Sequence, residues 1–141
     1  MPASYNDYIP YWCNLNEVER EYVFQHAENI HIIYSHKKTA EAEAIRRFNK
    51  SQLHNGAGDA FRHCYGSALL ARDLGYSEAK RITDNHEKTI GQPISEKKMD
   101  IFNNNVGLAI GRNCPHATNS MLANKCYAAY KAGKLQICDI L

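Results

Sequence analysis

A chain of 141 residues, 44% hydrophobic and 23% charged, has the makings of one globular domain with its own core. That balance excludes wholesale disorder, and no apolar run approaches membrane-spanning length. Seventeen basic against fifteen acidic residues leave a net charge of +2, which excludes the strongly basic profile of a dedicated nucleic-acid binder but not a locally basic groove.

The segment Met1 to Pro10 is polar and aromatic, with neither a basic n-region nor an apolar h-region, so no Sec signal peptide is expected here. Trp12 with Tyr5, Tyr8 and Tyr11 is expected to fold over the domain as a lid; a place at a membrane interface is the alternative. The first helix is expected to start at Asn16, with Glu17 and Glu19 in its first turn, and to run through Val18, Tyr22, Val23, Ile30 and Tyr34. A second is expected from Thr39 to Asn49, and a third from Gly58 to Leu74, stopped by Gly75. A fourth spans Ser77 to Glu87, and a fifth Ser95 to about Arg112. The sixth covers Asn119 to Ala132 and ends at Gly133. Strand signals are weak, with room only for a small hairpin at Gly91 to Ile94 or after Gly133. The expectation is an all-α, compact single domain over residues 1–141, a bundle of about six helices with a polar site between them.

Five cysteines, Cys13, Cys64, Cys114, Cys126 and Cys138, show no CxxC spacing, so the common zinc-knuckle patterns are absent. Buried free thiols are one reading and one or two disulfides near the C-terminus the other. Of the histidines, His31 falls among apolar residues and is expected to pack in or beside the core.

Three polar clusters break the helical pattern. On the third helix Asp59, Arg62, His63, Gly66 and Ser67 form one stripe at i, i+3, i+4, i+7 and i+8. Small residues beside charged ones suit a pocket floor. Upstream, His54, Asn55, Gly56 and Gly58 form a permissive loop whose N–H groups could face an anion. A cap with an intrahelical Asp–Arg pair is the bland reading. The second cluster, Asp84 to Glu87, contains His86 next to Glu87 but no His-Glu-x-x-His. A histidine complementing the helix dipole would explain it equally. The third places Asp100, Asn104, Gly107 and Gly111 on one face, with Asn103 and Asn105 beside them. Asparagine is a poor helix former, so Asn103 to Asn105 could instead be a loop splitting the helix. Burying such groups without partners is costly, and one shared polar site accounts for all three clusters.

The series His54-Asn55-Gly56-x-x-Asp59-Ala60-Phe61-Arg62-His63, Asp84-x-His86-Glu87 and Met99-Asp100-x-x-Asn103-Asn104-x-x-Gly107 resembles a domain at the C-termini of bacterial polymorphic toxins and wall-associated or Rhs-type proteins. The resemblance covers about residues 50–112. Members often carry Trp after the Arg-His pair, where this chain has Tyr65 and Gly66. It implies an antibacterial effector delivered into the target periplasm by a secretion apparatus, with a cognate immunity protein as partner.

With that resemblance the residues suit a hydrolase acting on a phosphoester or pyrophosphate of the envelope, in a phospholipid or a lipid-linked peptidoglycan precursor. Asp59, Arg62, His63, His86 and Glu87 are the catalytic candidates: a phosphate clamp, bases and acids. His54, Asn103 and Asn104 are candidates for substrate binding. Asp100 and Glu87 are candidates for holding a divalent ion such as Mg, Ca or Zn. A metal-dependent nuclease, a peptidoglycan hydrolase with Glu87 and Asp59 or Asp100 as its carboxylate pair, and a non-enzymatic binding module remain as alternatives.

Overall fold

The structure, a computed structural model, describes residues 5–137, with side chains from Tyr8 onward. Its helices are α1 (Tyr5–Asn14), α2 (Glu17–Gln25), α3 (Ile30–Arg47), α4 (Ala57–Leu74), α5 (Tyr76–His86), α6 (Ile94–Asn113) and α7 (Asn119–Lys131). Among the described residues there is no strand, so the hairpin alternative at Gly91 to Ile94 falls away, while the one after Gly133 lies partly outside the described residues. No described helix is long and apolar enough to cross a membrane.

The all-α expectation holds, and the departures from it have physical causes. The aromatic N-terminus is itself helical, with Pro10 inside α1. Its Tyr11 is buried edge-on against Tyr34, 5.2 Å between ring centres. The first expected helix does not run to Tyr34. It stops at Gln25, makes a 3₁₀ turn over Ala27–Asn29, and α3 then continues without pause to Arg47. No Gly or Pro marks this bend. Tertiary bonds accompany it instead: the Asn29 amide donates to the Tyr22 hydroxyl, which donates to Glu78 of α5. The junction expected between Tyr34 and Thr39 lies in mid-helix, where Lys37 and Lys38 pair with Glu41. Asn16 caps α2 with a full capping box, as its sequence promised. Gly75, at φ 85°, joins α4 to α5 as a single residue and so takes the cap place expected of Ser77. Pro93 takes the place expected of Ser95.

Helix α4 is the axle of the bundle, in contact with α3, α5, α6 and α7. One side of it carries Phe61, Cys64, Tyr65, Ala68 and Leu69 into a core with Leu122, Ala123 and Cys126 of α7. The other carries Leu70 and Ala71 into a second core with Tyr11, Tyr22, Ile33 and Leu108. Helix α6 lies unusually close. A Cβ on Gly107 would stand 2.0 Å from the Cys64 carbonyl oxygen, and one on Gly111 would stand 2.2 Å from that of Ala68. Only glycine permits that approach, and it brings the polar face of α6 onto the polar stripe of α4.

Cys13, Cys64, Cys114 and Cys126 are free thiols, Cys64 and Cys126 in the core; Cys138 lies outside the described residues. On α3 the buried histidine is His36, which bonds Asp73 at 2.6 Å, whereas His31 is exposed and bonds the Tyr8 hydroxyl. Both lie on α3, and the bend before α3 sets which of them turns inward.

Candidate functional site

The site begins at the N-terminus of α4. Asn55 stands at φ 61°, a left-handed conformation that asparagine tolerates. There its backbone N–H donates to Asp59 Oδ2 at 2.8 Å, and its side chain donates to Glu96 at 2.6 Å. Gly56 and Gly58 leave room for the chain to pass the Gln52 backbone, where a Cβ would come within 2.9 Å and 3.0 Å of it. The anion this loop serves is therefore the protein's own Asp59 carboxylate, not the external ligand expected from sequence.

One turn on, Asp59 Oδ1 accepts from Arg62 at 2.7 Å and lies 3.2 Å from His63 Nδ1. Burial works to raise the Asp59 carboxyl, but the His63 hydrogen bond and charge, with Arg62 and the Asn55 N–H, overcome it. The group sits well below the usual carboxylate range. The far ring nitrogen, His63 Nε2, faces Asp100 Oδ1 of α6 at 3.5 Å. Asp59, His63 and Asp100 each offer a donor atom within 4.8 Å of the others. Asp100 Oδ2 accepts from Gln92 at 2.8 Å, while its Oδ1 has no hydrogen-bond partner.

Glu87, just past α5, accepts from Asn104 at 3.1 Å through Oε2, and Asn104 in turn accepts from Ser67 at 3.2 Å. Glu87 Oε1 is buried without a partner. Burial raises both acids, most directly by stripping water from the charged form, and the charge of His63 opposes this in each. His86 is raised by its hydrogen bond to Glu19 at 3.0 Å.

A cavity of about 130 Å³ opens beside this network, lined by Tyr11, Ile33, Lys37, Ala40, Arg62, His63, Gly66, Ser67, Leu70, Ile82, Thr83, His86 and Asn104. Its lining brings the apolar Ile33, Ala40, Leu70 and Ile82 together with Arg62, His63, His86 and Asn104. Four of the sequence candidates thus meet at a common space, and Gly66 and Ser67 form its floor as the small-residue stripe implied. Asp59 and Asp100 stand behind His63, and Glu87 behind Asn104. Neither Glu87, Asp59 nor Asp100 lines the cavity, which disfavours them as a carboxylate pair on a sugar.

Two candidates lie elsewhere. The His54 side chain is 81% exposed, beside Glu96. Asn103 is fully buried on another face of α6, where it donates to the Gln136 carbonyl and accepts from the Gln136 N–H, each at 2.8 Å. It fastens the C-terminal tail rather than a substrate. Asn103→Ala is expected to cost about 1–2 kcal/mol, to speed hydrogen exchange at the Gln136 amide, and to leave the cavity's function intact. The three asparagines do not split α6, because two of them have buried partners that repay their low propensity. Sequence reasoning missed Gln92, Lys37 and Tyr11. Gln92 sits between Gly91 and Pro93, where only its neighbours carry a signal. Lys37 reads as a solvated helix residue until its contact with the Tyr11 ring, 5.5 Å from its centre, is seen.

A family model described as a domain of unknown function, DUF6973, matches residues 20–134. The chain belongs to the DUF6973 family. The match takes in Arg62, His63, His86, Glu87, Asp100 and Asn104, and leaves out α1 with its cavity residue Tyr11, the start of α2 with Glu19, and the tail beyond residue 134. It extends beyond the motif-bearing stretch of residues 50–112 into the helices that frame it. No solved structure matches this member of DUF6973.

Proposed function

We propose that this DUF6973 protein is a hydrolase of a phosphoester or pyrophosphate bond in an amphiphilic molecule of the bacterial envelope, acting as an antibacterial effector. The observation that carries the reading is the meeting of Arg62 and His63 with Tyr11, Ile33, Leu70 and Ile82 around one cavity. Its volume suits one benzene-sized group, so it would take a short apolar segment next to the headgroup rather than a whole lipid. Such a mixed lining matches a phospholipid or lipid-linked precursor better than nucleic acid, which would ask for a basic track.

The chemistry follows from the positions. Arg62 is held by Asp59 with part of its fork free, and it binds phosphate oxygens and stabilises the charge that grows on them. The His63 assembly takes a proton from the attacking water as the water oxygen bonds to phosphorus. His86, whose protonated form Glu19 favours, returns a proton to the leaving oxygen as the P–O bond breaks. Glu87 and Asn104 fix the facing wall. The motif resemblance supplies the context: delivery by a secretion apparatus, action in the target periplasm, and a cognate immunity protein.

Expression in bacteria with and without a periplasmic signal tests this. The periplasmic wild type is expected to lyse cells or arrest growth, His63→Ala is expected to be harmless, and purified wild type is expected to release phosphate or a phosphorylated headgroup from envelope lipids. Toxicity from the cytoplasm alone, with salt-sensitive cutting of nucleic acid, would put the nuclease reading ahead. A folded wild type that is harmless in both compartments would sink the effector reading.

A further inference from the structure

We propose that His63 Nε2 and Asp100 Oδ1 are the first two ligands of a divalent transition-metal site, with zinc as the best-suited ion and Asp59 as the residue that aims the histidine. The argument starts with the proton on His63. Nδ1 stands 3.0 Å from the Asp59 carbonyl oxygen and 3.2 Å from Asp59 Oδ1. Two acceptors at Nδ1 place a proton there, so Nε2 is the ring nitrogen left to bind an ion. Nε2 faces a carboxylate oxygen. At 3.5 Å the two are too far apart for a good hydrogen bond.

The spacing has a simple cause if one ion is shared. Two donors about 2.1 Å from a tetrahedral ion stand about 3.4 Å apart. Burial points the same way. The side chains of His63 and Asp100 are each 8% exposed, and Asp100 Oδ1 has no hydrogen-bond partner. A buried carboxylate oxygen left bare is costly unless something cationic meets it. Glu87 offers a second bare buried oxygen, Oε1, in the neighbouring polar network.

Asp59 completes the pattern without touching the ion. A metal-bound histidine typically donates its other N–H to a carboxylate or carbonyl, and here Asp59 supplies both. Gln92 does the corresponding work for Asp100 by holding its other oxygen. An imidazole with carboxylates suits zinc or manganese better than magnesium or calcium, which prefer oxygen alone. With Nε2 committed to the ion, His63 would no longer take the proton of the attacking water; what the ion would do in its place, lower the pKa of a bound water or polarise a phosphoryl oxygen, rests on the hydrolase reading. Its binding does not.

The experiment is calorimetric titration of the chelator-treated full chain with Zn²⁺, and with Mn²⁺ and Mg²⁺ in parallel. One saturable zinc per chain is expected, with Mg²⁺ much weaker. His63→Ala and Asp100→Asn should each weaken zinc about 100-fold or more, Asp59→Asn about 10–100-fold, and His54→Ala and His116→Ala not at all. Circular dichroism checks that each variant is folded. Cobalt(II) added to the wild type gives a reading that needs no variant: one hyperfine-shifted, exchangeable ring proton, from the Nδ1–H of a histidine bound through Nε2. No saturable zinc in the wild type, zinc binding unchanged in folded His63→Ala, or cobalt with no such proton would overturn the site. Zinc bound at His63 without phosphate release would keep the site and remove the hydrolase reading.

Discussion

Gly107→Ala is expected to lower stability by about 3 kcal/mol or more, and the thermal midpoint by about 10 °C or more, while Gly66→Ala leaves both unchanged or slightly raised. Both glycines lie inside helices, and both replacements favour helix by up to about 1 kcal/mol through intrinsic propensity. Their surroundings decide the outcome. The new Cβ at position 107 would meet the backbone of Cys64, with its oxygen at 2.0 Å, its carbonyl carbon at 2.8 Å and its Cα at 3.0 Å. None of these atoms can rotate away, so α4 and α6 must part. At position 66 the new methyl meets only the Ala40 Cβ at 3.5 Å, an ordinary contact. The same separation of α4 from α6 would pull Asp100 from His63 and Asn104 from Ser67, so Gly107→Ala should also lose whatever the site does. Thermal unfolding followed by circular dichroism measures the pair side by side. Equal midpoints for wild type and Gly107→Ala would mean that the helices do not approach as closely as described.

The polar faces of α4 and α6 were legible in the sequence because a helix converts spacing into direction. Asp59, Arg62 and His63 at i, i+3 and i+4 must share a side, and so must Asp100, Asn104, Gly107 and Gly111. The glycines even signal a close neighbour, though not which one. Tertiary choice was not legible. Asn103 and Asn104 are adjacent and alike, and only the path of the C-terminal tail makes one a fastener and the other a wall of the cavity. The bend at Ala27–Asn29 has no local breaker, because its bonds reach across to α5. His36 rather than the expected His31 packs inward for the same reason: the pitch of α3 is set from that bend. Helix α1 was hidden because Pro10 argues against a helix, while the burial of Tyr11 against α3 argues for one, and burial prevailed.

Arg62→Ala is expected to fold with nearly wild-type stability and to lose about 10²- to 10³-fold in hydrolysis, the usual effect of removing one donor aimed at developing charge. Its side chain is 31% exposed, and its ion pair with Asp59 therefore contributes little more to stability than a surface pair, about 1 kcal/mol or less. Asp59 would still have the Asn55 N–H and His63, so no buried charge is left bare. Arg62→Lys would keep the charge but not the planar fork, which in the wild type can hold Asp59 and a phosphate oxygen at once, so only partial recovery is expected. Asp59→Ala differs from both. It removes the shared acceptor of Arg62, Asn55 and His63, and it should lower stability and activity together. The contrast separates a reactive site from a structural polar network. A network that serves only the fold would show its cost in the melting curve at Arg62 as well as at Asp59, by several kcal/mol, because breaking a buried pair strands its partner. Unfolding midpoints and phosphate-release rates for the three variants therefore belong in one experiment, and a destabilised Arg62→Ala of undiminished activity would leave Arg62 as a strut.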